Sequence, residues 1–205
     1  MKQGLLIVIS GPAGSGKGTV LQHIFADPAK KDSFAYSVSA TTRAPRPGEV
    51  DGVNYHFLTR EEFEARIARG ELLEYTEYCG NYYGTLKAQS LSVLESGKNL
   101  ILEIEVEGAM NVKRSFPDAV AIMLLPPSFK KQEERLRGRG TETEDKILAR
   151  LARTKEELTH LDAYDYVVYS HDGKVDQAAQ DIYAVLRAEA CRITRNKDTR
   201  EQYFA

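Results

Sequence analysis

The chain has 205 residues, of which 42% are hydrophobic and 28% are charged, and its formal net charge at pH 7 is −2. This composition is typical of a globular domain with one sizeable core and excludes an intrinsically disordered chain. A net charge so close to zero removes any global electrostatic attraction to nucleic acid or to an anionic membrane surface, so we predict neither as a partner.

The cysteines and the apolar runs indicate the compartment. Two cysteines, Cys79 and Cys191, lie far apart in the chain, which excludes a disulfide scaffold and a zinc knuckle and favours a reducing environment. The apolar run at residues 5–9 stops at Gly11 and Pro12 without a small-residue cleavage site, and no run approaches the roughly 18 apolar residues of a membrane span. We therefore predict a soluble, cytoplasmic protein.

Taken in chain order, the sequence alternates predicted strands and helices. Continuous apolar runs rich in β-branched residues predict strands buried on both faces, as in a parallel sheet covered by helices. Such runs occupy residues 5–9, 100–104, 120–125 and 166–169. A helical period of apolar residues occupies residues 86–94, 145–161 and about 175–193. This alternation predicts an α/β fold, a doubly wound parallel sheet flanked by helices.

Two of these helices carry specific core predictions. Thr141 and Glu144 form a capping box that would start the helix near residue 145. Its apolar face would comprise Ile147, Leu148, Leu151, Leu158 and Leu161. The inner side of the last helix would comprise Ile182, Val185, Leu186 and Ile193, with a polar, frayed tail after it.

Residues 35–84 interrupt the alternation with many prolines and glycines. Alternating apolar and polar residues at 54–58 and 72–78 predict half-buried, antiparallel strands. Between these two segments, Thr59 and Glu62 form a capping box that predicts one short helix. We expect an insert with its own small sheet, seated on the parallel core.

A glycine-rich loop connects the first predicted strand to the first helix. The segment GPAGSGKGT, residues 11–19, has the strand–loop–helix context that a phosphate-binding loop (P-loop) requires. Successive N–H groups face one concavity, the helix N-terminus adds partial positive charge, and the lysine adds a full charge toward the β- and γ-phosphates. We predict that a nucleoside triphosphate binds Gly11, Pro12, Ala13, Gly14, Ser15, Gly16, Lys17, Gly18 and Thr19. The strict pattern has Ser or Thr directly after the lysine; here Gly18 stands there, so Thr19 is the candidate hydroxyl for Mg²⁺.

The insert opens with two arginines three positions apart. Arg43 and Arg46 flank Pro45, which stiffens the backbone between them. Each guanidinium can offer two parallel N–H donors to phosphate oxygens, so this turn is a candidate phosphate site, with a solvated basic turn as the alternative. Tyr55 and the segment at residues 80–85 carry further hydroxyl groups.

Two acidic residues follow the second apolar run. Glu103 and Glu105 are two positions apart, which would place both on one face at the carboxyl edge of the sheet. We predict that Glu103 orders Mg²⁺ through its water shell and that Glu105 orients Arg43 or contacts the acceptor. The alternative is an ion pair at the rim with Lys98 or Lys113.

A basic cluster surrounds Gly138 and Gly140. Its members are Arg135, Arg137, Arg139 and Arg150. Such a run is usually a solvated face, but the flanking glycines favour a movable lid. Arginines brought in by closure would stabilise the charge on a transferring phosphoryl group and exclude water.

Four motifs, in this order and spacing, resemble those of guanylate kinases: SGPAGSGKGT, SVSATTRAPRPGE, GNYYGT and RLRGRGTETE. The resemblance extends from residue 5 to about residue 187. It implies transfer of the γ-phosphoryl group of Mg-ATP to GMP, with ADP and GDP as products. It implies a single domain with a core at residues 1–34, 85–136 and 151–205, a GMP-binding insert with a mixed sheet at 35–84, and a mobile lid at 137–150.

Carried over position by position, the resemblance assigns roles to individual residues. The GMP phosphate would be held by Arg43, Arg46, Tyr55 and Tyr83, and the guanine would be read by Ser39, Glu74 and Thr85. The catalytic cations would be Lys17, Arg43, Arg139 and Arg150, with Arg135 against the adenine. The family usually has Asn where this chain has Ser170, so no adenine contact is assigned there.

The chemistry of Glu74 agrees with that role. One carboxylate can accept both the N1–H and the exocyclic amine of guanine, whereas adenine presents a bare N1 acceptor that would leave the carboxylate unpaired. The alternative is a solvent-facing acid on an alternating strand.

Two other functions remain open from the residues. An inactive binding module of the same fold tends to lose the glycine run or the lysine, and both are present here. A kinase for AMP or UMP would share the phosphate loop, but Glu74 and the double-arginine turn count against it. The sequence leaves open whether the chain forms a homo-oligomer.

Overall fold

The computed structural model describes residues 3–138, 140 and 143–205, which form two sheets and the helices around them. The strands are β1 (Leu6–Ser10), β2 (Phe34–Tyr36), β3 (Ala40–Thr41), β4 (His56–Phe57), β5 (Leu72–Tyr78), β6 (Asn81–Leu86), β7 (Asn99–Glu103), β8 (Val120–Leu125) and β9 (Tyr166–Tyr169). The helices are α1 (Lys17–Ala26), α2 (Arg60–Ala68), α3 (Lys87–Glu95), α4 (Val106–Ser115), α5 (Phe129–Gly138), α6 (Glu144–Glu157), α7 (Val175–Cys191) and α8 (Thr199–Phe204). Within the described ranges, every helix is too short or too polar to traverse a lipid bilayer.

The predicted parallel sheet has five strands in the order β2-β7-β1-β8-β9, and each neighbouring pair is parallel. The central strand β1 is buried over its whole length. The chain reaches β7 on one side of β1 and β8 on the other, so the strand order reverses at β1. The loop that follows β1 therefore opens into the crevice at the carboxyl edge, where sheets of this type bind ligands. The doubly wound fold is confirmed.

Alternation along β1 divides the core between the two faces of this sheet. Ile7 and Ile9 belong to a buried cluster with side chains of α1 and α7. Leu6 and Val8 face the other way and belong to a second cluster with side chains of α3 and α4. Because each buried aliphatic side chain contributes about 1.5–3 kcal/mol, these two layers hold β1 and the loop after it in place.

The insert forms a separate, mixed sheet of four strands in the order β4-β3-β6-β5. β6 pairs antiparallel with both β3 and β5, as predicted. β4, however, pairs parallel with β3, so the prediction of an antiparallel strand at residues 54–58 was wrong. β2 belongs to the parallel sheet and β6 ends at residue 86, so this sheet spans residues 40–86 where the sequence predicted an insert at 35–84.

Helix α2 begins at the predicted capping box. The Thr59 hydroxyl accepts the backbone N–H of Glu62 at 3.1 Å, and the Glu62 carboxylate accepts the backbone N–H of Thr59 at 2.8 Å. Both donors belong to the first turn, which has no intrahelical partners for them. Phe63 is fully buried and its ring stacks on that of Tyr82 in β6, which packs the helix against the small sheet.

Helix α6 begins at Glu144, close to the predicted residue 145, but its N-cap and its C-terminal end differ from the prediction. Its N-cap is Thr143, so a capping box from Thr141, which lies outside the described residues, does not start it. After α6 ends, a 3-10 turn at Leu158–Ala163 follows, and no side chain of that turn is buried. Leu148 is 51% exposed and Leu161 is 38% exposed, so both were wrongly placed on the buried face.

The C-terminal helices also end differently. Ile193 is 73% exposed because the backbone leaves the helical conformation at Arg192, so its prediction as an inner residue was wrong. Ile182 and Leu186 are buried as predicted. The short helix α8 forms where a frayed tail was expected.

Candidate active site

The loop between β1 and α1 encloses a concave space with its own backbone. A Cβ on Gly11 would lie 2.1 Å from the carbonyl oxygen of Leu124 in β8, so only glycine lets the chain leave β1 this close to its neighbour. Gly16 is the N-cap of α1, with a left-handed φ of 91° that glycine adopts without strain. The Lys17 ammonium donates to the carbonyl of Gly11. The loop thus presents a helix N-terminus and a cation to an anion.

A cavity of about 360 Å³ lies against this loop and is lined by residues 12–19. Its other walls come from the insert, from the end of β7 and from α6. They comprise Tyr78, Glu103, Glu105, Arg150, Arg153 and Glu157. The phosphate loop and Arg150 therefore face the same space.

A second cavity, of about 300 Å³, opens between the insert and the parallel core. Its insert wall includes Ser39, Arg43, Arg46, Tyr55, Glu74 and Tyr83. Lys17, Tyr78, Glu103 and Glu105 line both cavities, so the two spaces adjoin. The loop lysine and the paired arginines open onto one cleft.

Arg43 is oriented by Glu49, a residue to which no motif assigned a role. Arg43 Nη2 donates to Glu49 Oε1 at 2.9 Å, and Glu49 Oε2 accepts the backbone N–H of Arg46 at 2.7 Å. The hydrogen bond from Arg43 lowers the pKa of the Glu49 carboxyl, which is therefore ionised at neutral pH. The Arg43 guanidinium also lies 5.3 Å from the centre of the Tyr55 ring. Glu49 takes the place that was predicted for Glu105 as the partner of Arg43, so that alternative was wrong. The other alternative, contact of Glu105 with the acceptor, stays a prediction.

Glu74 is a buried carboxylate that lines the second cavity. A register shift between Leu72 and Glu74 in the β5–β6 pairing places the consecutive residues Leu73 and Glu74 in the interior. Glu74 is 5% exposed, and its Oε1 accepts the hydroxyl of Thr85 at 2.7 Å. Burial raises the pKa of Glu74 to about 7, and the hydrogen bond from Thr85 opposes that rise.

Ser39 and Thr85, which were both predicted to contact the base beside Glu74, have different surroundings in the structure. Ser39 lines the cavity, as a residue in contact with the base would. The Thr85 hydroxyl is fully buried and donates to Glu74, whereas the resemblance implied that Thr85 reads the guanine itself. On the other side, a Cβ on Gly108 of α4 would lie 3.0 Å from Glu74 Oε2, so this glycine leaves room for the carboxylate.

The two acids after the second apolar run do not share a strand face. β7 ends at Glu103, and Glu105 is the N-cap of α4, so the chain has already left the sheet there. Both side chains nevertheless line the two cavities. Glu103 Oε2 accepts the hydroxyl of Tyr36 at 3.1 Å, and Glu105 Oε2 lies 3.9 Å from Arg153 Nη2.

Arg135 has protein partners on several of its N–H groups. It donates to Asp172 Oδ1 at 2.7 Å, to the carbonyl of Ser170 at 2.7 Å and to the carbonyl of Gly14 at 3.2 Å. These bonds tie α5 to the phosphate loop and to the end of β9. They hold the guanidinium beside the loop, where its contact with adenine stays a prediction.

The predicted lid is described in part. Arg139 lies outside the described residues, and Arg150 lines the loop cavity from α6. Arg137 pairs with Glu133 at 2.9 Å and with Glu144, so within the predicted lid it connects the end of α5 to the start of α6.

Comparison with known proteins identifies the family to which this chain belongs. The family model described as guanylate kinase matches residues 3–189. The chain belongs to the guanylate kinase family. It is 52% identical over 194 residues to a guanylate kinase of Streptococcus agalactiae, a match that covers 95% of this chain and 91% of that protein. It is 52% identical over 195 residues to a guanylate kinase of Halalkalibacterium halodurans, which covers 95% of this chain and 93% of that protein.

A solved structure of the family has the same fold. The chain is similar to the crystal structure of guanylate kinase from Anaplasma phagocytophilum, with a TM-score of 0.73 and 31% sequence identity. The match covers 95% of this chain and 90% of that one. We therefore interpret the parallel core, the mixed-sheet insert and the cleft between them as parts of the guanylate kinase fold.

Guanylate kinases are generally Mg²⁺-dependent, and the residues beside the loop suit that ion. The Thr19 hydroxyl and the carboxylates of Glu103 and Glu105 line the loop cavity and supply only oxygen donors. Among the described residues, no three His, Cys, Asp or Glu side chains form a cluster that would enclose a metal ion. Mg²⁺ typically keeps several waters and takes one or two protein oxygens together with substrate phosphates, so this sparse set fits it.

Three residues of this guanylate kinase cleft were missed by the sequence patterns. Glu49 stands three residues after Arg46, and its opposite charge in a proline-glycine turn was an available signal. Arg153 stands three residues after Arg150, so the helical period places it on the same side of α6. Gly108 had no such signal, because its contact with Glu74 exists only once α4 packs on β5.

Proposed function

We propose that this chain transfers the γ-phosphoryl group of Mg-ATP to GMP, giving ADP and GDP. One observation carries the proposal: Lys17 of the phosphate loop and Arg43 and Arg46 of the insert line the same cavity. Adjoining anion sites hold a donor polyphosphate and an acceptor phosphate end to end despite their mutual repulsion, and such positioning accounts for most of the catalysis of phosphoryl transfer.

The phosphate loop binds the donor in this proposal. Backbone N–H groups at the start of α1 and the Lys17 ammonium contact the β- and γ-phosphates. Thr19 and Glu103 would hold Mg²⁺, in part through water, and the ion would neutralise charge on those phosphates. No general base is required, because the acceptor phosphate is already an oxyanion.

The insert binds the acceptor phosphate. Arg43 and Arg46 offer guanidinium donors, and Tyr55 and Tyr83 line the same wall. Arg43 is bonded to Glu49 in the free chain, so its position is set before a ligand arrives and little side-chain entropy is lost on binding.

The guanine is read by Glu74 and Ser39. An ionised Glu74 accepts the N1–H and the amine of guanine together, and the Ser39 hydroxyl donates to O6. Thr85 positions the carboxylate through its hydrogen bond. A site that would leave a buried polar group unpaired by the wrong base discriminates by about 10⁴ or more.

We further propose that three parts of the chain have separate roles. The parallel core binds ATP, the mixed-sheet insert binds GMP, and residues 137–150 close over the donor as a lid. Closure would bring Arg139 and Arg150 to the transferring phosphoryl group and exclude water from it. The position of Arg150 beside the phosphate loop supports this assignment.

We also propose that the chain works in the cytoplasm. Cys79 and Cys191 are exposed, free thiols in the described structure. Exposed thiols persist in a reducing compartment and pair or oxidise outside one.

The proposed function is tested by ADP release from ATP with GMP, AMP and UMP as acceptors, each with and without Mg²⁺. We expect rapid release with GMP, release at least about 10³-fold slower with AMP, and loss of activity without Mg²⁺. Equal release with AMP or UMP would make the chain a kinase for another monophosphate. GMP binding without any release would make it a binding module.

A further inference from the structure

A contact between a cation and an aromatic ring crosses the mouth of the cleft. The Arg153 guanidinium carbon lies 4.3 Å from the centre of the Tyr78 ring. Tyr78 ends β5, the strand that also carries Glu74, and it lines both cavities. Arg153 belongs to α6, which also carries Arg150. The contact therefore joins the wall of the acceptor cavity to the helix that faces the phosphate loop.

Two carboxylates hold Arg153 in this place. Its Nε donates to Glu157 Oε1 at 3.0 Å, one turn further along α6, and its Nη2 lies 3.9 Å from Glu105 Oε2. Glu157 is 8% exposed, so its carboxylate needs a nearby cation, and the hydrogen bond from Arg153 opposes the rise of its pKa that burial causes. A planar guanidinium can serve acids and ring together, because its edge donates N–H groups while its face stacks.

We propose that Arg153 is a positioning residue that holds the insert toward α6, so that the free chain already populates the narrowed cleft in which GMP meets both walls. This proposal rests on the proposed function. The apparent dissociation constant of a ligand is its intrinsic constant divided by the fraction of competent protein. Loss of the Arg153–Tyr78 contact lowers that fraction and weakens GMP binding, whereas saturating substrates hold the cleft closed and leave the chemical step unchanged.

The test is steady-state kinetics on Arg153→Met, which keeps an unbranched, flexible stem but removes the charged, planar guanidinium. We expect the KM for GMP to rise about three- to tenfold, the range of a partly exposed cation–π contact, and kcat to change less than about twofold. Tyr78→Leu should raise the KM equally, and the double variant should raise it no further. Arg153→Lys should recover part of the loss, and Tyr78→Phe, which keeps the ring, should recover most of it.

The matched control is Arg66→Met in α2. Arg66 is 36% exposed and pairs with Glu71 at 3.1 Å, close to the 38% exposure of Arg153 and its 3.0 Å bond to Glu157, but it lies away from the cleft. It should leave the KM for GMP unchanged, and it should cost less stability than Arg153→Met, because Glu71 is half exposed and keeps its ion pair with Arg69.

Three results would overturn the proposal. One is an unchanged KM in Arg153→Met. Another is a fall in kcat at constant KM, which would place Arg153 on the reacting phosphates. The third is additivity of the effects of the two single variants on the KM.

A wild-type chain that does not phosphorylate GMP refutes the proposed function instead. The contact is then judged by GMP affinity in the same variants, measured by calorimetry, and unchanged affinity would reject it.

Discussion

Among single residues, Glu74 is the one whose chemistry depends most on its position in the fold. An Asp or Glu side chain in water has a pKa near 4, whereas burial raises the pKa of Glu74 to about 7. In the proposed function GMP requires the ionised form of Glu74, because both donors of the guanine edge need carboxylate lone pairs. Below pH 7 the free chain holds a proton on Glu74 that must leave before guanine binds, so GMP affinity is lost as the pH falls through this value.

We therefore expect the ratio of GMP affinity to AMP affinity to fall by up to about tenfold per pH unit below pH 7 and to level off above pH 8. Because the phosphate has a second pKa near 6 in both nucleotides, its titration affects both affinities equally and does not change their ratio. Calorimetric titrations between pH 5.5 and 8.5 measure it. Glu74→Gln should lower the ratio and flatten its pH profile, whereas Glu95→Gln on the exposed face of α3 should leave it unchanged. A sloping profile in Glu74→Gln would assign the titration to another group.

Lys17 is the second residue whose role is testable alone. Its ammonium donates to the Gly11 carbonyl and lines both cavities. In the proposed function it therefore adds positive charge where the phosphoryl group passes from one cavity to the other. We expect Lys17→Met to lower kcat by about 10²–10³-fold, as removal of one preorganised donor to developing charge does. The thermal unfolding curve should barely move, because the side chain is not part of the core. Lys87→Met, at an exposed position of α3, is the matched control; similar kcat values in the two variants would remove Lys17 from the mechanism.

At the scale of elements, the loop after β1 depends on how closely two strands approach. A Cβ on Gly11 would meet the Leu124 carbonyl of β8 at 2.1 Å, whereas a Cβ on Gly18 would meet no atom within 4 Å. We expect Gly11→Ala to lower the melting temperature by about 3–10 °C, since overpacking costs about 1–3 kcal/mol in a domain of this size. Gly18→Ala should keep or raise it, because alanine favours the first turn of α1. Calorimetry measures the melting temperatures of both variants. Equal decreases in melting temperature would mean that the close approach of β1 and β8 does not cause the loss of stability.

Elements also show where a sequence pattern is sufficient. The Thr59 capping box gave the start of α2 correctly, because both of its hydrogen bonds lie within four residues. The similar pattern at Thr141 gave the approximate start of α6 but not its N-cap, which is Thr143, a residue whose side chain makes no capping hydrogen bond. A local pattern is therefore sufficient only where its own hydrogen bonds form.

The whole molecule places two cavities in continuity, with Lys17, Tyr78, Glu103 and Glu105 shared between them. A ligand that joins adenosine and guanosine through a polyphosphate chain would therefore occupy both sites at once. We expect it to raise the melting temperature more than ATP and GMP together at equal concentration, because the second contact becomes intramolecular. A diadenosine polyphosphate of the same length is the control and should give the smaller shift. Equal shifts would argue against a base-selective acceptor site.

The sequence alone determined the parallel core, the phosphate loop, the arginine turn and the family. These features are written in short stretches: an apolar run, a glycine spacing, a capping box, two arginines beside a proline. Each is recognisable because its physics acts over a few residues, through the strand and helix periods and through hydrogen bonds to neighbouring N–H groups.

Only the tertiary structure decided how these parts act on one another. The pKa of Glu74 follows from burial beneath α4 and a hydroxyl eleven positions away. The parallel pairing of β4, the room left by Gly108 and the Arg153–Tyr78 contact all join segments that are distant in the chain. Electrostatic and packing energies depend on distance in space, and a linear sequence specifies that distance only after the chain has folded.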